Sequence, residues 1–322
     1  MNSEDVTFSS DGCTIAGTFT QVADPVAAAL LISGSGQTDR DSDAKLPGGL
    51  KLRTGITRAI AEALAAAGVS TLRYDKRGVG RSGGDYWSTG MAQRLADARA
   101  GLDWLSARSA GLPLLALGHS EGTFHAAQFA ADNAAAGAVL LAASPRTGGE
   151  ILSWQTQQLA TRLPASARLI LRLMRTDAVK AQRKNQDRIM ASSADTMRIQ
   201  GQRVNARWFR DFVRYDLAPV LARITVPVLA ITGGHDLQVP PADVEAIGGL
   251  VKGPFEGHVA GDLSHLLRPD PGSAGPRSYR RSVRQPVSPE VLALITGWVT
   301  RHWGHPAAGP GPLPHPGAHA IG

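Results

Sequence analysis

Cysteine is almost absent: Cys13 stands alone among 322 residues. No disulfide can form within the chain, which fits a reducing compartment. Long apolar runs are absent as well. Stretches such as "AAALLI" (27–32) and "LPLLAL" (112–117) are far shorter than a bilayer span requires. The opening "MNSEDVTFSSDG" is acidic and polar, without a basic segment leading into an apolar one, so no secretory leader is expected. These absences lead us to expect a soluble, cytoplasmic protein with no membrane span. Internal repeats are missing. The histidines near the end, in "HPAAGPGPLPHPGAHAIG" (305–322), lack companion cysteines or carboxylates, so no metal site is expected there.

What is present suffices for a large core: 43% of the residues are hydrophobic. Net charge is +7, and one segment holds the whole excess. Residues 146–216 carry fourteen Arg and Lys against six Asp and Glu. A basic surface of this kind can attract nucleic acid or an anionic ligand. The segment has no recognisable nucleic-acid motif, so solvated helix faces are the cheaper explanation and no nucleic-acid partner is expected.

The pattern along the chain is one of alternation. "DVTFSS" and "TIAGTFTQV" flank Asp11-Gly12, a hairpin signal. Strand-like "VAAALLISGS", "VSTLRYD", "LPLLALGH" and "AGAVLLAAS" then alternate with helix-like "GITRAIAEALAAAG", "MAQRLADARAGLDWLSAR" and "EGTFHAAQFAADN". This order predicts an α/β fold with a mostly parallel central sheet and helices on both faces. Alternation stops at Pro145 and resumes with "VPVLAITGG", "GPFEGHVAG" and a last helix, "SPEVLALITGWVTRHWG", with Ser288 as N-cap. We therefore divide the chain into a core (1–145 and 217–303), a helical cap inserted at 146–216 with no clear strand, and a disordered tail (304–322). In the cap, Leu169, Ile170, Leu173 and Met174 form an apolar face for packing on the core. Trp208 and Phe212 lie at helical spacing and are expected to pack against the sheet.

Gly-x-Ser-x-Gly occurs twice, around Ser82 and around Ser120. Ser82 follows a charged, glycine-rich loop and has neither a strand leading into it nor a helix opening after it. Ser120 sits between an apolar strand and a helix, where Gly118 and Gly122 permit a tight turn and the helix dipole favours negative charge. A nucleophilic serine needs a base, and the base needs an orienting acid. Asp236 follows the strand "VPVLAITGG", and His265 lies between the last strand and the last helix, so all three fall at strand C-termini. His258 is the rival base but lies within its strand. Asp262 is the rival acid but is too close in sequence to His265. An oxyanion would be met by the backbone N–H groups of Glu121 and Ser35, with Gly34, Gly36 and His119 as further substrate contacts.

With these residues in place, the chain resembles the α/β-hydrolase superfamily over about residues 5–303. "SGSGQTDRDSD" and "LRYDKRGVGRS" resemble bacterial carboxylesterases of the dienelactone-hydrolase-like group. Those typically read His-Gly-Ser-Gly-Pro-x-Asp-Arg-Asp in the first loop. Gly34, Ser35, Gly36, Asp39, Arg40 and Asp41 match, whereas Ser33 stands where His is usual and Gln37 where Pro is usual. The resemblance implies a Ser120–Asp236–His265 triad, a small-molecule ester substrate, and no cofactor. Thioesterase, peptidase and acyltransferase chemistry use the same triad, and a non-catalytic binding protein could share the fold. A homodimer is compatible with this reading. Asp39, Arg40, Asp75, Lys76 and Arg77 are expected to form one salt-bridge network bracing the first loop.

Overall fold

The computed structural model describes residues 2–45, 50–162, 177–270 and 276–304. Leu169, Ile170, Leu173, Met174 and nearly all of the tail lie outside them. Twelve strands are described. β1 (Asn2–Ser10) and β2 (Cys13–Gln21) form a hairpin, with positive φ at both Asp11 and Gly12 of the turn. β3 (Ala27–Ile32) leads into the first loop, which carries the short pair β4 (Ala44–Lys45) and β5 (Lys51–Leu52). α1 (Ile56–Ala66), β6 (Val69–Tyr74), α2 (Met91–Arg108), β7 (Leu114–His119), α3 (Gly122–Ala131) and β8 (Gly137–Leu141) follow. After the intervening segment come β11 (Val228–Gly233), α8 (Asp243–Gly248), β12 (Phe255–Ala260), α9 (Pro276–Ser282) and α10 (Pro289–Trp303).

Eight strands form one sheet in the order β1-β2-β6-β3-β7-β8-β11-β12. β2 is antiparallel to β1 and β6, and every pairing from β6 to β12 is parallel. The inner parallel strands, β6, β3, β7, β8 and β11, are buried on both faces, which is why β3 and β8 read as unbroken apolar runs. Successive residues of β3 serve opposite cores. Ala28, Leu30 and Ile32 join the cluster under α2 and α3, and Ala27, Ala29 and Leu31 join the one under α1 and α10. Fully burying each leucine is worth about 1.5–3 kcal/mol. Helix periodicity supplies the facing surfaces: Ile56, Ile60 and Leu64 of α1 and Leu102 and Leu105 of α2 are buried. Ser288 occupies the N-cap of α10 and Pro289 its first turn, although the serine side chain makes no cap hydrogen bond.

Between β8 and β11 lie α4 (Gly148–Thr161), α5 (Ala178–Met190), a hairpin of β9 (Thr196–Ile199) and β10 (Gln202–Asn205), α6 (Ala206–Arg214) and the short α7 (Ala218–Leu221). The hairpin corrects the expectation of a segment without strands. Its turn, Gln200-Gly201, has both residues at positive φ, and its four-residue strands are too short and too basic to stand out from helical sequence. Ile189, Ala206 and Phe209 give this segment a small core of its own. Lys180, Arg183, Lys184 and Arg188 of α5 are exposed, as solvated helix faces require. Among the described residues no helix is long and apolar enough to cross a membrane.

Candidate active site

Ser120 lies between β7 and α3 with φ 53°, a left-handed conformation that is uncommon for a residue with a side chain. The turn is held from both sides. The Ser120 N–H donates to the Leu141 carbonyl at 2.8 Å, and the Thr123 hydroxyl donates to the Ser120 carbonyl at 2.6 Å. Its two glycines are required by close approach. A Cβ at Gly118 would lie 2.2 Å from the Gly122 oxygen, and one at Gly122 would lie 2.3 Å from the Ile32 oxygen. Strand, turn and helix thus pack with no room for a methyl group.

Asp236 follows β11 and is buried. Its Oδ1 accepts the backbone N–H groups of Gln238 at 2.7 Å and Val239 at 3.0 Å. Its Oδ2 lies 2.8 Å from His265 Nδ1. A carboxylate can only accept, so Nδ1 carries the proton and Nε2 is left as the basic nitrogen. The loop holding His265 is anchored by buried Arg268, which donates to the carbonyls of Leu266, Thr54 and Gln285. Ser120 and His265 line one cavity of about 150 Å³ together with Gly34, Ser35 and His119. A second cavity of about 90 Å³ shares Ser120 and Ser35 and is walled by Phe124, Ile151, Leu152, Trp208 and Phe212.

Other expected residues take more varied places. Glu121 follows Ser120 and borders the second cavity. Gly36, at φ 89°, shapes the first loop but is not among the residues lining either cavity. His119 lines the larger cavity, yet its Nε2 donates to the His265 carbonyl at 2.9 Å, so it also supports the loop of the candidate base. Trp208 and Phe212 stack on one another at 5.1 Å and also wall the smaller cavity. His258 pairs with Glu256 at 2.8 Å within β12, and Asp262 is exposed, so neither rival joins the site. Ser82 is structural in its contacts: its hydroxyl donates to the Asp75 carbonyl at 2.7 Å and accepts the Ala16 N–H at 2.9 Å.

The five charges expected to form one network divide four ways. Asp75 grips the Arg40 guanidinium and backbone and also accepts the Arg81 N–H. Arg77 pairs with Asp97 at 2.5 Å. Lys76 turns inward to the Gly34 carbonyl and to Glu121. Asp39 caps its own turn by accepting the N–H groups of Asp41 and Asp43. Sequence reasoning missed Arg94, which meets both Glu121 oxygens at 2.8 and 2.9 Å. The signal was there: 94 falls on the same helical stripe as Met91, Ala98, Leu102 and Leu105, an apolar face interrupted by a cation. It also missed Gln238, two residues beyond Asp236, which lines both cavities.

Burial governs the electrostatics here. It pushes His119 down to about 3, with neighbouring His265 adding to the effect. It pushes His125 down to about 4, against the pull of Glu121. Burial alone would raise Glu121, but Arg94 and then Lys76 outweigh it and hold the carboxyl at about 2. The signs combine. Below the ordinary histidine value of 6.5 the unfolded chain takes up protons that folded His119 and His125 refuse. Below 4.5 it takes up a proton that folded Glu121 refuses. Stability therefore falls as pH drops from about 6.5 toward 3. Thermal melts followed by circular dichroism across this range check it; a melting temperature that is flat or rises toward pH 4 contradicts it.

Comparison with known proteins agrees with this architecture. The family described as serine aminopeptidase, S33, matches residues 48–255, about two thirds of the chain. The chain belongs to that family of α/β hydrolases. It is similar to esterase EstD of Thermotoga maritima, 26% identical over 280 residues, which cover 86% of this chain and 63% of that protein. The chain thus spans less than two thirds of the length of this curated relative. Among solved structures, the α/β hydrolase GrgF from Penicillium sp. sh18 superposes with a TM-score of 0.61 at 17% identity, covering 95% of this chain and all of that one. The Pyrococcus furiosus esterase PF2001 superposes with a TM-score of 0.60 at 16% identity, covering 94% and 91%. These two share the fold.

Proposed function

We propose that this protein is a serine hydrolase that cleaves carboxylic esters through an acyl-enzyme. The observation that carries the proposal is the Asp236–His265 pair, 2.8 Å apart, with His265 opening onto the same cavity as Ser120 in its left-handed turn. His265 Nε2 takes the proton as Ser120 Oγ attacks the ester carbonyl. Asp236 holds the tautomer and stabilises the imidazolium. The N–H groups of Ser35 and Glu121 meet the oxyanion. His265 then protonates the leaving alkoxide, and water activated by the same nitrogen releases the acid. The similarity to EstD supports an ester substrate.

The two cavities divide the substrate. The leaving group is protonated by His265, so it belongs on the larger, His265-lined side. The acyl group belongs in the smaller apolar cavity under α4 and α6, the segment we assign as the cap. A cavity of about 90 Å³ favours short acyl chains. An aminopeptidase would need an acid for the substrate ammonium. Among the described lining residues of both cavities the only carboxylate is Glu121, and Arg94 and Lys76 already engage it. Hydrolysis of p-nitrophenyl esters from acetate to palmitate tests the reading. The expected optimum lies at the short end, at or below about six carbons; a palmitate optimum overturns the acyl assignment, and no turnover of any ester overturns the esterase.

A further inference from the structure

Glu121 also borders a cavity of about 10 Å³ that is lined by charge and to which neither Ser120 nor His265 contributes. Lys76, Arg77 and Arg94 stand there against Glu121 and Asp97, three cations to two carboxylates among the described lining residues. Arg77 is neutralised by Asp97, and Arg94 makes two contacts with Glu121. Glu121 needs no second cation, yet buried Lys76 approaches it at 3.4 Å. Burying an ammonium is costly, and stability alone gives weak reason to keep one here.

The contact that accounts for it is with the backbone. Lys76 Nζ donates to the Gly34 carbonyl, which also accepts the Thr38 hydroxyl at 2.9 Å. That carbonyl and the Ser35 N–H are two ends of one planar trans peptide unit and point in opposite directions. Fixing the carbonyl oxygen therefore fixes the direction of the N–H, and Ser35 lines both cavities together with Ser120. A charged donor on the carbonyl also polarises the unit, making the N–H a stronger donor. The same ammonium reaches the side chain of Glu121, whose own N–H is the second candidate donor.

We propose that Lys76 is a positioning residue that ties the Gly34–Ser35 peptide to Glu121, so that two N–H groups from separate loops converge on one oxyanion. The inference rests on the serine-hydrolase reading above. The groups facing Lys76 are Glu121 and His125 of the α3 region, Arg94 and Asp97 of α2, and Tyr74 and Arg77 beside it in sequence. Burial, with Arg94 adding to it against the pull of Glu121, brings the lysine down to about 8. Its charge therefore titrates within a range where the protein can be assayed.

The test is the rate at which a fluorophosphonate labels Ser120, followed by intact mass. Ser120 Oγ bonds to phosphorus, fluoride leaves, and the serine proton passes to His265. Wild type should label and Ser120→Ala should not. Lys76→Met should label about 10- to 100-fold more slowly, consistent with a weakened oxyanion donor. On a hydrolysed ester, the same variant should lose kcat while KM stays within about threefold. Wild-type labelling should fall above pH 8, and this limb should vanish in Lys76→Met. A Lys76→Met protein that folds and labels at the wild-type rate overturns the inference and leaves the hydrolase reading standing. Should that variant not fold, the wild-type profile decides, and a plateau held to pH 9.5 overturns the inference. Wild type that does not label at all, or Ser120→Ala that labels equally, overturns the hydrolase reading and the inference with it.

Discussion

A Ser120→Ala protein loses ester hydrolysis by about four to six orders of magnitude, the loss typical of deleting a triad nucleophile. It keeps its fold, because the contacts that shape the turn come from the Ser120 backbone and the flanking glycines rather than from the hydroxyl. Alanine at φ 53° meets the same backbone strain that serine does. The matched control is Ser82→Ala, which lies in an identical sequence pattern. There the hydroxyl bonds two backbone groups, so its removal costs about 1 kcal/mol of stability and leaves the rate nearly unchanged. Rates on a p-nitrophenyl ester and melts on both variants decide the matter. Equal loss of activity at the two serines would sink the assignment of Ser120.

Asp236→Asn lowers kcat by about 10⁴-fold with little change in structure, the loss expected when a catalytic histidine takes the wrong tautomer. The reason lies in which oxygen does what. Oδ1 accepts two backbone N–H groups, so the asparagine carbonyl oxygen must stay there. Its amide nitrogen is then left facing His265 Nδ1 and donates to it. His265 is driven to carry its proton on Nε2, where it cannot accept one from Ser120. Measuring kcat from pH 6 to 10 checks this. A variant within tenfold of wild type would mean that His265 does not depend on Asp236.

The fold was legible because its inner parallel strands are buried on both faces and its helices carry one apolar stripe. Such patterns survive in a single sequence. Ser120, Asp236 and His265 could be singled out as candidates because each follows the end of a strand, and their order along the chain left few rivals. Residues set by distant contact could not be read the same way. Glu121 and Arg94 are 27 positions apart and meet only after α2 and α3 cover the same face of the sheet. Lys76 appeared as one of five charges spread over two loops, and nothing local told its inward course from the outward one of Arg81. The β9–β10 hairpin was missed because strands of four residues leave almost no periodicity to detect.

Apart from Phe124 of α3, the residues proposed to move protons and those that wall the acyl cavity come from different stretches of chain. Ser120, Asp236, His265 and the first loop all grow from the ends of sheet strands, whereas Ile151, Leu152, Trp208 and Phe212 come from the segment between β8 and β11. That segment has a small core of its own, and although Ile151 and Phe212 also join the cluster under α2 and α3, none of the four belongs to a strand of the sheet, so substitutions that conserve volume can reshape the walls and leave the strands in place. Selection for a new substrate would act on one part of the gene while purifying selection held the other. Across descendants of this chain, the walls would diverge quickly around a reaction that stays the same.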